Sequence, residues 1–243
     1  MHKQEIDYFH GPQVLKGLLC HTEPTELSPK SPKKPGILVC PDWTGRSVFS
    51  DTKALALANL GYVSLSVDVY GGGKTGLSKE EKTALMQPFI QDRHMLAQRL
   101  LAAYDCLISQ PNVDSSRIAV IGFCFGGLCA LDLARTGVAL KGAVSFHGLL
   151  NPPAIHPSDR KPITAKILLL HGYDDPMVRP QDIEFFADEM RLTHTDWQAH
   201  CYGNTQHAFT NPEANDPSFG TVYNPTADRR SWLAMQNFFT EIF

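Results

Sequence analysis

No run of apolar residues in this sequence approaches the length of a membrane span. The opening segment, MHKQEIDYFHGPQVLKGLLC, also lacks the uninterrupted apolar stretch of a secretory signal. These absences lead to the expectation of a soluble, cytoplasmic protein with no membrane partner. Charge of one sign is missing too: 22 Lys and Arg against 25 Asp and Glu leave a net charge of -3, with the cations scattered. Without a basic stripe, nucleic acid is excluded as a partner. The 6 cysteines (Cys20, Cys40, Cys106, Cys124, Cys129, Cys201) show none of the paired short spacings of zinc or redox sites. His147, His171 and His207 show no H-x-x-x-H spacing. No metal and no cofactor is therefore called for, and most of the thiols read as core filler. Solenoid repeats and low-complexity tracts are absent as well.

What is present is a chain of 243 residues, 43% of them hydrophobic, enough to bury roughly 70–75% of the surface of its unfolded form. No linker divides it, so a single domain over 1–243 is expected. After the opening segment and a polar, proline-punctuated stretch (HTEPTELSPKSPKKPG), short β-rich runs alternate with helical patterns. Strands are expected at 36–40, 62–69, 117–122, 142–146, 166–172 and 197–202. Several are apolar on both faces, as buried parallel strands are. Ala97, Leu100, Leu101, Tyr104, Leu107 and Ile108 form one helical stripe ending near Gln110-Pro111, and Trp232, Met235, Phe239 and Ile242 form another in a carboxy-terminal helix. The expected architecture is α/β, with three layers and a mostly parallel central sheet.

The stretch IAVIGFCFGGLCALDLAR reads as strand, sharp turn and helix, with Cys124 on the turn between Gly122 and Gly126. This is the frame of a nucleophile elbow, with cysteine in place of serine. Small residues are needed there because the strained turn brings strand and helix backbones together. At the head of a helix the dipole favours a thiolate, and the Phe125 N–H can stabilise an oxyanion. The competing reading makes Cys124 a small buried hydrophobe filling a tight turn.

A nucleophile on such a fold takes its acid and histidine later in the chain, in that order. KILLLHGYDDPMVRP is a strand followed by an acidic loop, and WQAHCYGNTQHAF a strand followed by a loop carrying His207. His207 is expected to take the thiol proton and Asp175 to orient the imidazole; the neighbouring Asp174 is read as capping the turn. Taken singly, a loop aspartate is most often a turn former and a lone histidine an ordinary residue.

With these motifs the sequence resembles the dienelactone hydrolase family of the α/β-hydrolase superfamily, whose G-x-C-x-G-G elbow corresponds to Gly122, Cys124, Gly126 and Gly127. ILVCPDWTG, VDVYG, HGYDDPMV and GNTQHAF are similar to the family's remaining active-site segments. The resemblance implies an α/β-hydrolase fold and a triad of Cys124, Asp175 and His207. It further implies that Asp42 gates the ionisation of the nucleophile and that Trp43 N–H is the second oxyanion donor. The residue-level alternative for Asp42 is a Pro-Asp turn. The chain departs from the family in two places. Asp42 stands where the family carries glutamate, and Asn211 where it carries an arginine for a substrate carboxylate. Either Arg93 or Lys82 takes over that task, or the substrate carries no carboxylate. Tyr70, Trp43, Phe123, Phe125 and Phe209 lie near these loops and suggest a partly apolar pocket.

YGGGKTG at 70–76 imitates a phosphate loop, but the frame fails: Asp68 occupies the position of the first glycine, and GLSKEE does not open directly into a clear helix. His147 and His171 end strands near the active edge, leaving pocket-lining and structural roles both open. Two function classes remain. One is a cysteine hydrolase acting on a small ester, enol-lactone or thioester through an acyl-enzyme on Cys124. The other is a catalytically silent scaffold binding a small ligand.

Overall fold

The computed structural model describes residues 1–22, 32–154 and 161–243. Most of the proline-punctuated stretch, 23–31, lies outside the described residues. The principal strands are β1 (His2–His10), β2 (Gln13–His21), β3 (Lys34–Cys40), β4 (Val63–Ser66), β5 (Val113–Phe123), β6 (Gly142–Phe146), β7 (Lys166–Gly172) and β8 (Trp197–Tyr202). They form an 8-stranded sheet in the order β1-β2-β4-β3-β5-β6-β7-β8. Pairing is parallel for β3–β4, β6–β7 and β7–β8, and antiparallel for β1–β2 and β2–β4. The helices are α1 (Val48–Asn59), α2 (Lys79–Gln91), α3 (Arg93–Ile108), α4 (Phe125–Arg135), α5 (Pro180–Leu192) and α6 (Pro225–Ile242). A small hairpin, β9 (Asn215–Asp216) and β10 (Thr221–Val222), follows β8. The chain forms two compact units, Met1–Val120 and Ile121–Phe243.

In the first unit the opening segment is an antiparallel hairpin pairing His2 with His21 through to His10 with Gln13. Its turn uses Gly11 at φ 55°, a conformation that costs glycine little. The strand pattern is faint because β1 is an edge strand: among its nine residues only Tyr8 is buried. Helix α3 buries Leu100, Tyr104 and Leu107 of the expected stripe, but its buried face is turned toward Leu96 and Ala103, and Ala97, Leu101 and Ile108 are only half-buried. The Asp92 carboxylate caps it by accepting the Met95 N–H at 2.8 Å.

The glycine-rich loop holds negative charge, but that charge is the protein's own. Asp68, fully buried, accepts the Gly71 N–H at 2.8 Å on Oδ1, and the Gly73 and Lys16 N–H groups at 2.7 and 2.9 Å on Oδ2. This inward turn also ends β4 at Ser66, short of the expected 62–69. One expectation about this segment is corrected: a clear helix, α2, does begin at Lys79, opened by a capping box in which Ser78 and Glu81 satisfy each other's backbone N–H.

In the second unit, β6 and β7 are buried along nearly their whole length and pair Gly142 with Lys166 through to Phe146 with Leu170. Helix α4 lies close against β6 because residue 127 lacks a side chain. A Cβ there would meet Ser145 Oγ at 2.6 Å and Gly148 Cα at 2.7 Å. Arg135, at the end of α4, is buried with Glu189 and Asp132. It donates to Glu189 from Nε (2.9 Å) and Nη2 (2.7 Å), to Asp132 Oδ1 from Nη1 (3.2 Å), and to the Leu150 carbonyl from Nη2 (2.8 Å).

Candidate active site

The second unit brings together Cys124, Asp175 and His207, three residues far apart in sequence. Cys124 separates β5 from α4 with φ 55° and ψ -117°, a positive-φ conformation that a non-glycine residue seldom occupies. Glycine at 122 makes this turn possible, since a Cβ there would collide with the carbonyl group of Gly126. The cysteine is half-buried, and Phe125 opens α4, where the helix dipole is positive.

Asp175 and His207 come from the loops after β7 and β8. Asp175 Oδ2 lies 2.7 Å from His207 Nδ1, and Asp175 Oδ1 accepts the Met177 N–H at 2.8 Å. The adjacent Asp174 instead accepts the Thr205 N–H at 3.0 Å, tying the two loops together. The His207 backbone is fixed on both sides: its N–H donates to the Gly220 carbonyl at 2.9 Å and its carbonyl accepts from Val222 N–H at 3.0 Å. Nε2 of His207 forms no hydrogen bond of regular geometry with any described residue. Its environment nevertheless senses the Cys124 sulfur. Burial alone disfavours the charged ring, but the Cys124 sulfur and the Asp175 hydrogen bond outweigh it and raise the pKa to about 10.

Two more histidines surround this pair. The His147 ring lies edge-on to His207 and to Phe209, with centroids 5.1 and 5.0 Å apart. His171 is buried, and burial lowers its pKa against the opposing charge of Asp175. Phe209 carries no exposed surface and packs on His147 and Tyr202. Asn211 accepts the Glu213 N–H at 3.0 Å within its own turn.

The remaining sequence candidates belong to the first unit. Asp42 is nearly buried, and its Oδ1 accepts the Thr44 N–H at 2.8 Å, the bond an Asx turn requires. The Trp43 carbonyl accepts from Tyr70 OH at 2.9 Å, and Lys82 Nζ stands 5.6 Å from the centre of the Trp43 ring. Arg93 is the first residue of α3, and Tyr70 packs against Phe89 at 5.7 Å between ring centres.

A profile described as "Dienelactone hydrolase family" matches residues 25–243. The chain belongs to the dienelactone hydrolase family. This supports a hydrolase role. The crystal structure of a dienelactone hydrolase-like promiscuous phosphotriesterase from metagenomic libraries is 37% identical, with a TM-score of 0.92, over 100% of this chain and 98% of that one. A Bradyrhizobium sp. protein described as "Probable 2-oxo-3-(5-oxofuran-2-ylidene)propanoate lactonase" is 29% identical over 208 residues, 82% of this chain and 80% of that protein. An uncharacterized Caenorhabditis elegans protein is 37% identical over 150 residues, 61% of this chain and 94% of that one. The eight-stranded, mostly parallel sheet of this chain belongs to the α/β-hydrolase fold that it shares with these solved structures. Among the described residues, no helix is long and apolar enough to cross a membrane.

Sequence reasoning did not single out Thr210, which hydrogen-bonds His147. A threonine in a loop has no local signature, and only the packing of that loop against the end of β6 gives it a partner.

Proposed function

We propose that this protein hydrolyses a small ester, enol-lactone or thioester through a covalent acyl-enzyme on Cys124. The thiol proton passes to His207 Nε2, and the sulfur attacks the substrate carbonyl carbon. As the tetrahedral intermediate collapses, the C–O or C–S bond to the leaving group breaks and His207 returns its proton to that group. Neutral His207 then takes a proton from water, whose oxygen attacks the thioester carbon. Release of the carboxylic acid restores the thiol. Asp175 keeps Nδ1 protonated and stabilises the imidazolium formed in each half-reaction. Phe125 N–H, at the positive end of α4, is assigned to the developing oxyanion, with Trp43 N–H as second donor and Asp42 as the carboxylate gating ionisation of the thiol. Arg93, Tyr70, Phe209 and Asn211 remain candidates for substrate binding.

The observation carrying this reading is the 2.7 Å bond between two buried side chains, Asp175 and His207, in the unit that holds Cys124 on its strained turn. A buried carboxylate aimed at one ring nitrogen leaves the other for proton transfer. The test is rapid mixing with an activated aryl ester. A burst of about one phenol per protein, absent in Cys124→Ala, is expected; ligand binding without turnover would favour the silent scaffold. A second reading is favoured by the phosphotriesterase named among the structural neighbours: the same sulfur attacks an aryl phosphotriester at phosphorus, the P–O bond to the aryloxide breaks as His207 protonates it, and water then cleaves the P–S bond to release a phosphodiester and the thiol. Including such a triester beside dienelactones, aryl esters and thioesters separates the two.

A further inference from the structure

We infer that His147 is a positioning residue, a neutral tie between the backbone of the nucleophile and the loop that carries the base. This rests on the roles proposed above for Cys124 and His207. The Cys124 N–H, which also meets the Phe146 carbonyl at 3.0 Å, lies 3.1 Å from His147 Nδ1. An amide N–H can only donate, so Nδ1 must carry the lone pair and the ring proton must sit on Nε2. That nitrogen is 2.8 Å from Thr210 Oγ1 and donates to it. Thr210 belongs to the same loop segment as His207. One imidazole in a single tautomer thus connects the amide of residue 124 to the segment holding the base.

The setting of the ring argues for more than packing. His147 sits at φ 40°, beside Cys124 at φ 55°. Such conformations persist only where the surroundings over-determine them, and they gather at working sites. The His147 N–H is anchored to the Leu170 carbonyl at 2.8 Å, and both the His147 and Thr210 side chains are buried. The bond is made to the nucleophile's own amide, so a tilt of that peptide swings Sγ relative to His207 Nε2. An error of about 1 Å between reacting groups is enough to cost about 10²-fold in rate.

Three substitutions separate the parts of the tie. Thr210→Val removes the acceptor at nearly constant shape. His147→Asn tolerates the positive φ and keeps an acceptor for the Cys124 N–H, but is too short to reach Thr210. His147→Phe keeps the edge contacts and loses both bonds. On an activated aryl ester, Thr210→Val and His147→Asn are each expected to lower kcat about 10-fold with KM nearly unchanged, and their combination to cost no more than either alone. His147→Phe is expected to lose about 10²-fold. The pH profile of Cys124 alkylation, which needs no substrate, should move in the same variants. Unchanged kcat and alkylation profiles, or single losses that multiply in the double variant, would overturn the tie. If His147→Phe does not fold, the Thr210→Val and His147→Asn cycle decides alone. Turnover and burst persisting in Cys124→Ala would instead sink the proposed chemistry itself, so the two failures are distinguishable.

Discussion

Asp175 Oδ2 and His207 Nδ1 are 2.7 Å apart with almost no exposed side-chain surface on either residue. In so dry a setting the hydrogen bond decides which imidazole nitrogen carries the proton. Asp175→Asn is expected to present an amide in place of the acceptor, let the wrong tautomer form and lower kcat by about 10²–10⁴ with little change in KM. Steady-state kinetics on an aryl ester tests this, and a loss below about threefold would remove Asp175 from its assigned role.

Selective alkylation is the second expectation. Burial pushes the thiol pKa values of Cys20, Cys40 and Cys106 up to about 11, 12 and 11, and raises that of Cys201. Cys129 is buried within α4. Iodoacetamide at neutral pH should therefore label Cys124 first, and that label should end turnover. A mass-spectrometric time course with another cysteine labelled fastest would contradict it.

The two perturbed histidines should shape stability in opposite directions. His171 has its pKa lowered by burial, so below about pH 6.5 the unfolded chain binds the proton more readily and its contribution is lost as pH falls. His207 has its pKa raised to about 10, so its contribution is complete below about 6.5 and is lost as pH rises toward 10. Urea unfolding across pH 5–10 should show His171→Asn flattening the acid side and His207→Gln the alkaline side, each by at most about 1.4 kcal/mol per pH unit. Reversed signs would show that these side chains do not control the profile.

Asp42 allows a cleaner separation. Asn at this position can still accept the Thr44 N–H, now made at 2.8 Å, but carries no charge. Asp42→Asn should unfold within about 0.5 kcal/mol of the wild type while shifting the pH–rate profile and the Cys124 alkylation rate. If both kinetic measures stay put, Asp42 is a turn former only.

The network around Arg135 predicts a stability effect. Arg135→Met leaves Glu189 and Asp132 buried without their cation, at a cost of about 3–5 kcal/mol by chemical denaturation. A cost below about 1 kcal/mol would show that the carboxylates reach water or become protonated without penalty.

The legible parts of this chain were those whose chemistry is written locally. Gly122, Cys124 and Gly126 mark an elbow because the collision that glycine avoids involves neighbours in sequence. Strands β6 and β7 have the bounds expected at 142–146 and 166–172, because strands buried on both faces read as unbroken apolar runs; β8 also has its expected bounds, 197–202, although as an edge strand it buries none of its residues. Strand β1 leaves little trace in the sequence because an edge strand exposes most of its residues and shows little alternation. In YGGGKTG, the backbone groups that imitate a phosphate loop close instead on Asp68.

By itself, the order of residues determined the α/β alternation, the small residues around Cys124 and the sequence of acid and histidine behind it, all set by steric limits and hydrophobic period within short windows. Only tertiary structure decided that Asp174 ties the two loops through the Thr205 N–H while Asp175 meets His207, and that His147 joins Cys124 to Thr210. Those choices depend on the direction of side chains from separate strands, which is set when the sheet assembles and its buried polar groups must find partners.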